Sequence, residues 1–246
     1  MSKVSIDSNV HRLHSVITNM QKQYRKFLNY DGHEMVNIDI SNSQPYLLCL
    51  LLNPLFWDKD SDIVLHIGML APNTQEKFSE EQLAGIKKYV STLDRKTLSQ
   101  YIETASNGLV YEYMMKVINK RKGIKLERDD IKTMILTTLF SKNRYMPQYK
   151  KYFAENFPQI YGLIELIKKE DYTALACLLQ NIESEIILHR CCSAIWNEGR
   201  QQVPVFTIHD SICTTKGNEG LVQKIMSNVL EENIGVTPTI KVEIML

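Results

Sequence analysis

The stretch "VPVFTIHDSICTTK", residues 203–216, holds two apolar, β-branched runs that are interrupted by a histidine and a carboxylate. Two such runs around a short polar pair predict an antiparallel hairpin. His209 and Asp210 would then lie at the connection between its strands. Burying an unpaired charge at the end of a core strand is costly. Taken alone, the stretch is also explained by a tight turn that carries the two polar side chains.

A second carboxylate lies in a similar position near the start of the chain. The run "EMVNIDI", residues 34–40, alternates so that Met35, Asn37 and Asp39 share one face of a strand. If this strand and the hairpin belong to one sheet, Asp39 and Asp210 can meet, although 171 positions separate them. Two close carboxylates must share a proton or bind cations, and oxygen ligands favour Mg²⁺ or Mn²⁺. Taken alone, each aspartate is more often a cap or turn residue.

A third segment, "ERDDIKTMILTTLFSKNRY" at 127–145, predicts a helix with chemistry on one face. Arg128 and Lys132 are spaced i, i+4, and Leu136 and Phe140 extend the same face. Two cations, an apolar residue and an aromatic ring would suit a triphosphate at one end and a base at the other. The simpler interpretation of this segment alone is a basic amphipathic helix.

The order of the predicted elements indicates the fold class. The strand at 34–40 precedes a long series of amphipathic helices, and a hairpin, a helix and the strand "TIKVEIM" at 239–245 end the chain. Because no alternating βαβ rhythm is present, the order predicts an α+β fold, with a small antiparallel sheet and a largely helical insertion. We also expect Ser43 to cap the first long helix, and "DIVLHI" at 62–67 is a candidate for a short strand.

The composition is that of a soluble globular protein, with 44% hydrophobic and 23% charged residues in a chain of 246. Five cysteines without CxxC spacing predict reduced thiols. The N-terminus has no secretory signal, and the longest apolar run, residues 46–52, is too short to span a bilayer. The sequence therefore predicts a cytoplasmic protein without a membrane partner.

The net charge of +1 hides two basic segments. Residues 1–30 hold five basic and one acidic side chains, and residues 116–151 hold eleven and three. Segments of this kind either bind a polyanion locally or are solvated helix faces. Charge alone leaves both interpretations open.

Together, these segments resemble motifs A, B and C of the family A polymerase superfamily, which holds DNA polymerase I-like enzymes and single-subunit, phage-type RNA polymerases. Motif A resembles "DISNSQPYLL" at 39–48, and motif C resembles "IHDS" at 208–211. Motif B resembles Arg128-xxx-Lys132 with Phe140. Their order agrees with the superfamily, as does the predicted context of strand, helix and hairpin.

Two further segments are similar to parts of the same superfamily. "HRLHSVITNMQKQYRKFL" at 11–28 is similar to the segment before motif A that touches the primer-template. "LLQNIESEIIL" at 178–188 is similar to the helix before motif C, where a glutamine is followed five positions later by an acidic residue. The matching residues are Arg12, Asn19, Gln21 and Arg25 in the first segment, and Gln180 and Glu185 in the second.

The resemblance implies template-directed nucleotidyl transfer with two Mg²⁺ ions, or Mn²⁺ in their place. Asp39 and Asp210 would hold the ions, together with the backbone carbonyl of Ile40. Arg128 and Lys132 would bind the β- and γ-phosphates, and Lys132 would also protonate the leaving group. The partners would be a nucleic acid primer-template and nucleoside triphosphates, with replication subunits or missing domains left open.

The resemblance also implies a division of the chain and two groups of binding residues. Residues 1–33 would contact primer and template, 34–54 and 170–246 would form the palm, and 55–169 would be a helical, fingers-like insertion. The nucleotide-binding group is Arg128, Lys132, Leu136, Phe140 and Gln44. The nucleic-acid-binding group is Arg12, Asn19, Gln21, Arg25, Gln180 and His209.

Three functions remain open at this point. A DNA polymerase used in DNA replication is favoured because Gln44, five positions after Asp39, fills the space where DNA polymerases carry glutamate against the sugar's 2′ position. Synthesis of RNA, by an RNA polymerase or primase of the single-subunit type, is the alternative. It is favoured by Ser211, which follows Asp210 where DNA polymerases carry glutamate. A catalytically silent nucleic-acid-binding module is the third.

Overall fold

The computed structural model describes residues 4–8, 11–123 and 125–245. The predicted primer-template segment 1–33 therefore lies partly outside the described residues, at 1–3, 9 and 10. Within the described ranges the chain forms seven strands, twelve α-helices, three 3₁₀-helices and one π-helix. The strands are β1 (Ser5–Ile6), β2 (Leu13–His14), β3 (Asn29–Tyr30), β4 (His33–Ile40), β5 (Val205–Ile208), β6 (Ser211–Thr215) and β7 (Ile240–Ile244).

The helices fill the interval between β4 and β5 and the connection from β6 to β7. The α-helices are α1 (Lys22–Arg25), α2 (Ser43–Leu47), α3 (Pro72–Gln75), α4 (Glu80–Ser91), α5 (Arg95–Ser106), α6 (Val110–Lys122), α7 (Arg128–Phe140), α8 (Gln148–Asn156), α9 (Pro158–Ile167), α10 (Ala174–Ser184), α11 (Cys192–Glu198) and α12 (Glu219–Ile234). The 3₁₀-helices are Leu48–Leu52, Pro54–Trp57 and Ile67–Met69, and the π-helix is Glu185–Cys191.

The main sheet is antiparallel and has β4 at its centre. One edge of β4 pairs with β6, which in turn pairs with β5. The other edge pairs with β7, and β3 pairs with the first residues of β4. β1 and β2 form a separate two-stranded ribbon. The predicted α+β fold, with its small antiparallel sheet and helical insertion, is confirmed.

The alternation in β4 separates two apolar layers. Val36, Ile38 and Ile40 are buried, and Ile38 and Ile40 belong to the main core that the helices build. Met35 lies on the opposite face, in a small cluster with Ile208 and Cys213. Asp39 shares that second face, since successive side chains of a strand point to opposite sides. The predicted strand at 34–40 is confirmed and begins one residue earlier.

Two local predictions are wrong. "DIVLHI" forms no strand, because Leu65, His66 and Ile67 are buried in succession, without alternation, and a 3₁₀-helix begins at Ile67. Ser43 is the first residue of α2, and the N-cap is Asn42, whose φ of 54° is left-handed. Asparagine tolerates this conformation better than serine does.

A glycine brings the helical insertion against the end of β4. Gly108, between α5 and α6, has a φ of +69°, and a Cβ added there would lie 2.5 Å from the Cβ of Ser41. A larger residue would strain the backbone and push the turn away from Ser41. The turn therefore needs glycine where it contacts the segment that follows Asp39.

Two further observations concern the cysteines and the hydropathy of the helices. All five cysteines are free, and three of them are buried. Across the described residues, no helix has the length and apolar character needed to cross a membrane.

Two buried lysines fix the C-terminal end of α7. Lys168, directly after α9, donates from Nζ to the carbonyl oxygen of Thr138 at 3.1 Å. Lys150 on α8 donates to the carbonyl oxygens of Lys142 at 3.0 Å and Tyr145 at 2.9 Å, in the loop that follows α7. The last carbonyls of a helix lack partners within the helix and carry partial negative charge. The ammonium groups therefore stabilise the end of the helix that carries the predicted phosphate-binding cations.

The first prediction concerns this lysine pair. Burial, and next the charge of Lys150, lower the pKa of Lys168 to about 7, although Glu165 opposes the shift. An unfolded chain keeps the ordinary lysine value of 10.5 and binds more protons above pH 7. The free energy of unfolding should therefore gain a contribution that rises between about pH 7 and pH 10. Lys168→Met should remove this contribution, as measured by urea unfolding across that range.

The neighbouring Lys169 is exposed and provides the matched control. Lys169→Met should keep the pH slope of the unmodified chain. An unchanged slope in Lys168→Met would show that Lys168 does not titrate inside the folded structure.

Candidate active site

The pairing of β4 with β6 joins the two predicted aspartates. Asp39 lies opposite Ser211, and Asp210 directly precedes Ser211 in the hairpin turn. Asp39 and Asp210 both line one pocket of about 430 Å³. The charge of Asp210 acts on the Asp39 carboxyl. The two carboxylates therefore face one space, as the sequence predicted.

Asp39 carries an oxygen without a hydrogen-bond partner. Its Oδ1 is buried and unpaired, while the backbone N–H of Ile40 donates to the carboxyl group. Burial, and next the charge of Asp210, raise the pKa of Asp39 to about 7, and Lys132 opposes that rise. A buried acceptor without a donor is costly unless a ligand satisfies it. A cation between the two carboxylates would do so.

Unpaired polar atoms are concentrated just after Asp39. Among the described residues, the buried side-chain atoms without a hydrogen-bond partner include Ser41 Oγ, Asn42 Nδ2 and Gln44 Oε1. Together with Asp39 Oδ1, they place four such atoms within six consecutive residues. Native structures contain few of these groups, and each requires an explanation. Their concentration indicates a ligand site at the end of β4.

The donor set fits Mg²⁺ better than a metal that needs a closed protein cage. Within the described residues, no group of three or more His, Cys, Asp or Glu side chains has metal-binding geometry. Mg²⁺ commonly takes one or two carboxylates, keeps several waters and shares substrate phosphates. Asp39, Asp210 and a backbone carbonyl would form such an open site.

Basic side chains line the same pocket as the two aspartates. Lys22, Arg25 and Lys26 line it with the two aspartates. Arg25 also donates from Nε to the carbonyl oxygen of Met20 at 3.1 Å, which holds its side chain in place. A pocket lined by both carboxylates and cationic side chains suits a phosphodiester with bound cations.

Glu243 is a site residue that the sequence did not identify. It lies on β7 opposite Asn37, on the face of the sheet that carries Asp39, and it lines the same pocket. Its charge further raises the pKa of Asp39. The alternation in "TIKVEIM" could have identified it, had the pairing of β7 with β4 been known.

The cations of α7 differ in their surroundings. Arg128 donates from Nε to Glu112 Oε1 at 2.6 Å and from Nη2 to Asn42 Oδ1 at 3.2 Å. Its guanidinium also lies 5.0 Å from the ring centroid of Tyr111. Lys132 is exposed, and its charge reaches Asp39. Arg128 is thus held against the segment after Asp39, whereas Lys132 faces solvent near the carboxylates.

The predicted nucleotide-binding group is only partly assembled. The described residues that line the aspartate pocket do not include Arg128, Lys132, Leu136 or Phe140. Leu136 is half-buried, and Phe140 packs on the main core. These two side chains are therefore placed by packing within the helical insertion.

Glu183 joins two of the predicted residues. Its side chain is 2% exposed, and its Oε1 accepts from Arg12 Nη2 at 2.7 Å. Its Oε2 accepts from Gln44 Nε2 at 2.7 Å. Burial, and next the charge of Asp210, raise the pKa of Glu183 to about 7, although Arg12 opposes the shift. Arg12 and Gln44 are thus fixed by one carboxylate beside the pocket.

The acidic residue matched in the sequence, Glu185, does not make these contacts. Glu185 pairs with Arg190 at 3.0 Å, where the π-helix begins. A spacing of three places Glu183 on the helix face of Gln180, whereas a spacing of five does not. Helical periodicity could therefore have favoured Glu183. Gln180 itself is half-buried on α10.

Of the remaining predicted nucleic-acid residues, His209 borders this network, since it lines a small pocket with Arg12 and Glu183. His209 is exposed at the hairpin turn with a left-handed φ of 55°, and it lines the aspartate pocket. Asn19 and Gln21 are exposed, and neither is among the described residues that line that pocket.

Ser211 has a structural role in the hairpin. It is buried, and its Oγ donates to the carbonyl oxygen of Ile208 at 2.9 Å, across the turn that carries Asp210. A hydroxyl at this position closes the turn. The turn therefore explains the serine at position 211, whether the product is DNA or RNA.

Comparisons with known proteins give a match among solved structures. No family model matches the chain, and no curated protein sequence matches it. A structure that does match is the POL domain of Pol1 from M. smegmatis, in complex with a DNA primer-template and dNTP, with a TM-score of 0.48 and 13% identity. The match covers 98% of this chain and 46% of that one, so this chain spans less than half its length.

The second prediction tests the Glu183 network. Arg12→Met should lower the free energy of unfolding by about 3–5 kcal/mol, since it leaves the buried Glu183 carboxylate without its cation. Glu185→Gln is the matched control and should cost about 0–1 kcal/mol, as a partly exposed ion pair does. Urea unfolding above the Glu183 pKa of about 7 keeps that carboxylate ionised.

A double variant gives the coupling. The costs of Glu183→Gln and Arg12→Met should not add, because both remove the same contact. Additive effects, or equal costs for Arg12→Met and Glu185→Gln, would contradict the network.

Proposed function

We propose that the chain is a divalent-metal-dependent nucleotidyltransferase that extends a nucleic acid primer, with DNA as the product. The observation that carries the proposal is that Asp39 and Asp210 line one pocket, with Asp39 Oδ1 buried and unpaired. Close carboxylates of this kind are what a site for hard cations requires. RNA synthesis and a catalytically silent binding module are the alternatives.

Asp39, Asp210 and the backbone carbonyl of Ile40 would hold two Mg²⁺ ions, or Mn²⁺ in their place. Bound there, the metal would activate the primer hydroxyl and neutralise the triphosphate. The 3′-oxygen would bond to the α-phosphorus while the bond to the β-phosphate breaks and pyrophosphate leaves. The reaction needs positioning and charge neutralisation rather than a covalent enzyme group.

The side chains of α7 supply the second half of the proposal. Lys132 would neutralise the β- and γ-phosphates and donate a proton to the departing pyrophosphate. Arg128 would join it by exchanging its ion pair with Glu112 for a phosphate. The exposure of Lys132 and its influence on Asp39 support this role.

The residues around the Glu183 network would position the nucleotide and the primer terminus. Gln44 would lie against the sugar's 2′ position, and Arg12 and Gln180 would contact the terminal base pair. His209, beside Asp210, would contact the primer end. The buried hydrogen bonds that fix Gln44 and Arg12 support such positioning, because fixed groups lose little entropy when substrate binds.

The third prediction is that the chain extends a primed DNA template with dNTPs and Mg²⁺. Asp39→Asn and Asp210→Asn should each slow extension by roughly 10²–10³-fold, since each removes several kcal/mol of transition-state charge stabilisation. EDTA should abolish extension. Single-turnover primer extension on a denaturing gel is the measurement.

Asp62→Asn is the control, because Asp62 is exposed and lies in the helical insertion. Extension by Asp210→Asn at the rate of the unmodified chain would refute the mechanism. Failure of the unmodified chain to use either dNTPs or NTPs, with template binding intact, would favour the silent module.

The fourth prediction concerns the sugar. Gln44→Ala should open space at the 2′ position and lower the preference for dNTPs over NTPs by roughly tenfold. Gln44→Leu keeps most of the bulk and loses the contact with Glu183, so it should retain the preference. Competitive extension with paired dNTP and NTP is the measurement. Equal use of NTPs by the unmodified chain would favour RNA synthesis instead.

A further inference from the structure

Three exposed aromatic rings lie in the segment 22–30, whose basic side chains line the aspartate pocket. Tyr24, Phe27 and Tyr30 are 52%, 71% and 53% exposed, and they recur every third residue. Single exposed apolar side chains are common on protein surfaces. Three large exposed rings within seven consecutive residues lower the solubility of a protein unless a partner covers them.

The backbone of this segment directs the rings outward. The N–H of Phe27 donates to the carbonyl oxygen of Tyr24 at 3.1 Å, which continues the turn of α1. Leu28 packs inward, on the small cluster that contains Met35 and Ile208. The pairing of β3 with β4 then fixes Tyr30 opposite His33. The exposure of the rings is therefore built into the local fold.

Cations are interleaved with the rings. Lys22, Arg25 and Lys26 line the aspartate pocket, and Lys26 Nζ lies 5.3 Å from the ring centroid of Phe27. Lys26 and Phe27 also line an adjoining pocket of about 250 Å³. The same lysine thus borders both pockets, which makes the surface continuous with the site of the aspartates.

We propose that Lys22, Tyr24, Lys26, Phe27 and Tyr30 form a stacking surface that binds an unpaired DNA strand beside the aspartate pocket. Aromatic rings stack on bases, and neighbouring cations neutralise the phosphates of the same strand. A duplex hides the faces of its bases, so rings at the surface favour a single strand. An apolar protein partner would not explain the alternating cations.

The sequence resemblance assigned the segment 1–33 to primer and template but gave none of these five residues a role, and the ligand proposed here is an unpaired strand rather than a primer-template duplex. Strand binding does not depend on the proposed chemistry. Only its role of leading a strand to Asp39 and Asp210 rests on the proposed function.

The fifth prediction is tested by fluorescence anisotropy with oligo(dT) of about 12 nucleotides, in EDTA, using the full chain. Tyr24→Ala, Phe27→Ala and Tyr30→Ala should each weaken binding by roughly 5- to 100-fold, as the loss of one stacked base does. Lys26→Gln should reduce the slope of log affinity against log salt by about one. Trp196→Ala is the matched control, because Trp196 is 54% exposed on α11 and should not affect binding.

Several outcomes would overturn the proposal. These are equal losses for Trp196→Ala and Phe27→Ala, tighter binding of duplex than of oligo(dT), and a more than tenfold preference for oligo(rU). Sedimentation that shows Phe27-dependent self-association without oligonucleotide binding would identify a protein interface instead. Circular dichroism confirms that each variant is folded. Binding of oligo(dT) by the unmodified chain in EDTA requires no catalysis, so a failure of catalysis stays distinguishable from a failure of strand binding.

Discussion

The antiparallel register between β4 and β6 is the constraint on which the site depends. It pairs Met35 through Asp39 with Thr215 through Ser211, and so it sets Asp39 beside the turn that carries Asp210. A shift of one residue would move Asp39 to the face of Val36 and Ile38, inside the main core. The buried valine and isoleucines therefore help to fix the position of the carboxylate, because a one-residue shift would bury a charge and expose apolar side chains.

The polar groups of the site destabilise the folded state, and packing in the rest of the fold offsets this effect. Burial and a neighbouring carboxylate raise the pKa of Asp39, and Ser41, Asn42 and Gln44 leave polar atoms unpaired close by. A structure with marginal net stability tolerates such a cluster only where packing elsewhere is extensive. The helical insertion supplies that packing through one continuous core, from the last residues of β4 to α12. The arrangement is that of a polar site awaiting ligands on a well-packed support.

The elements that repeat a pattern were predictable from the sequence, whereas most contacts between distant elements were not. Periodicity identified β4, the hairpin and the helix that carries Arg128. The expectation that two carboxylates at strand ends bind a shared cation predicted that Asp39 and Asp210 meet. The resemblance indicated Glu185, five positions after Gln180, and so did not identify Glu183. A helix places residues three positions apart on one face, which favours Glu183. Glu243 depends on a strand pairing that alternation alone does not reveal. The division into palm, fingers-like insertion and primer-template segment stays a prediction.

The two cations of α7 have different roles in this structure. Arg128 fixes the start of the helix to the left-handed Asn42, three residues after Asp39, through a hydrogen bond to Oδ1. Buried Lys168 holds the opposite end of the helix through the carbonyl oxygen of Thr138, and buried Lys150 holds the loop that follows. With both ends fixed, Lys132 lies one turn after Arg128 and keeps its side chain in solvent. A flexible ammonium on a fixed helix can follow a charge that moves during a reaction, whereas a guanidinium held by Glu112 and Asn42 defines the distance between the helix and the sheet. Arg128 is therefore first a positioning residue, and Lys132 is the cation available to an anionic ligand.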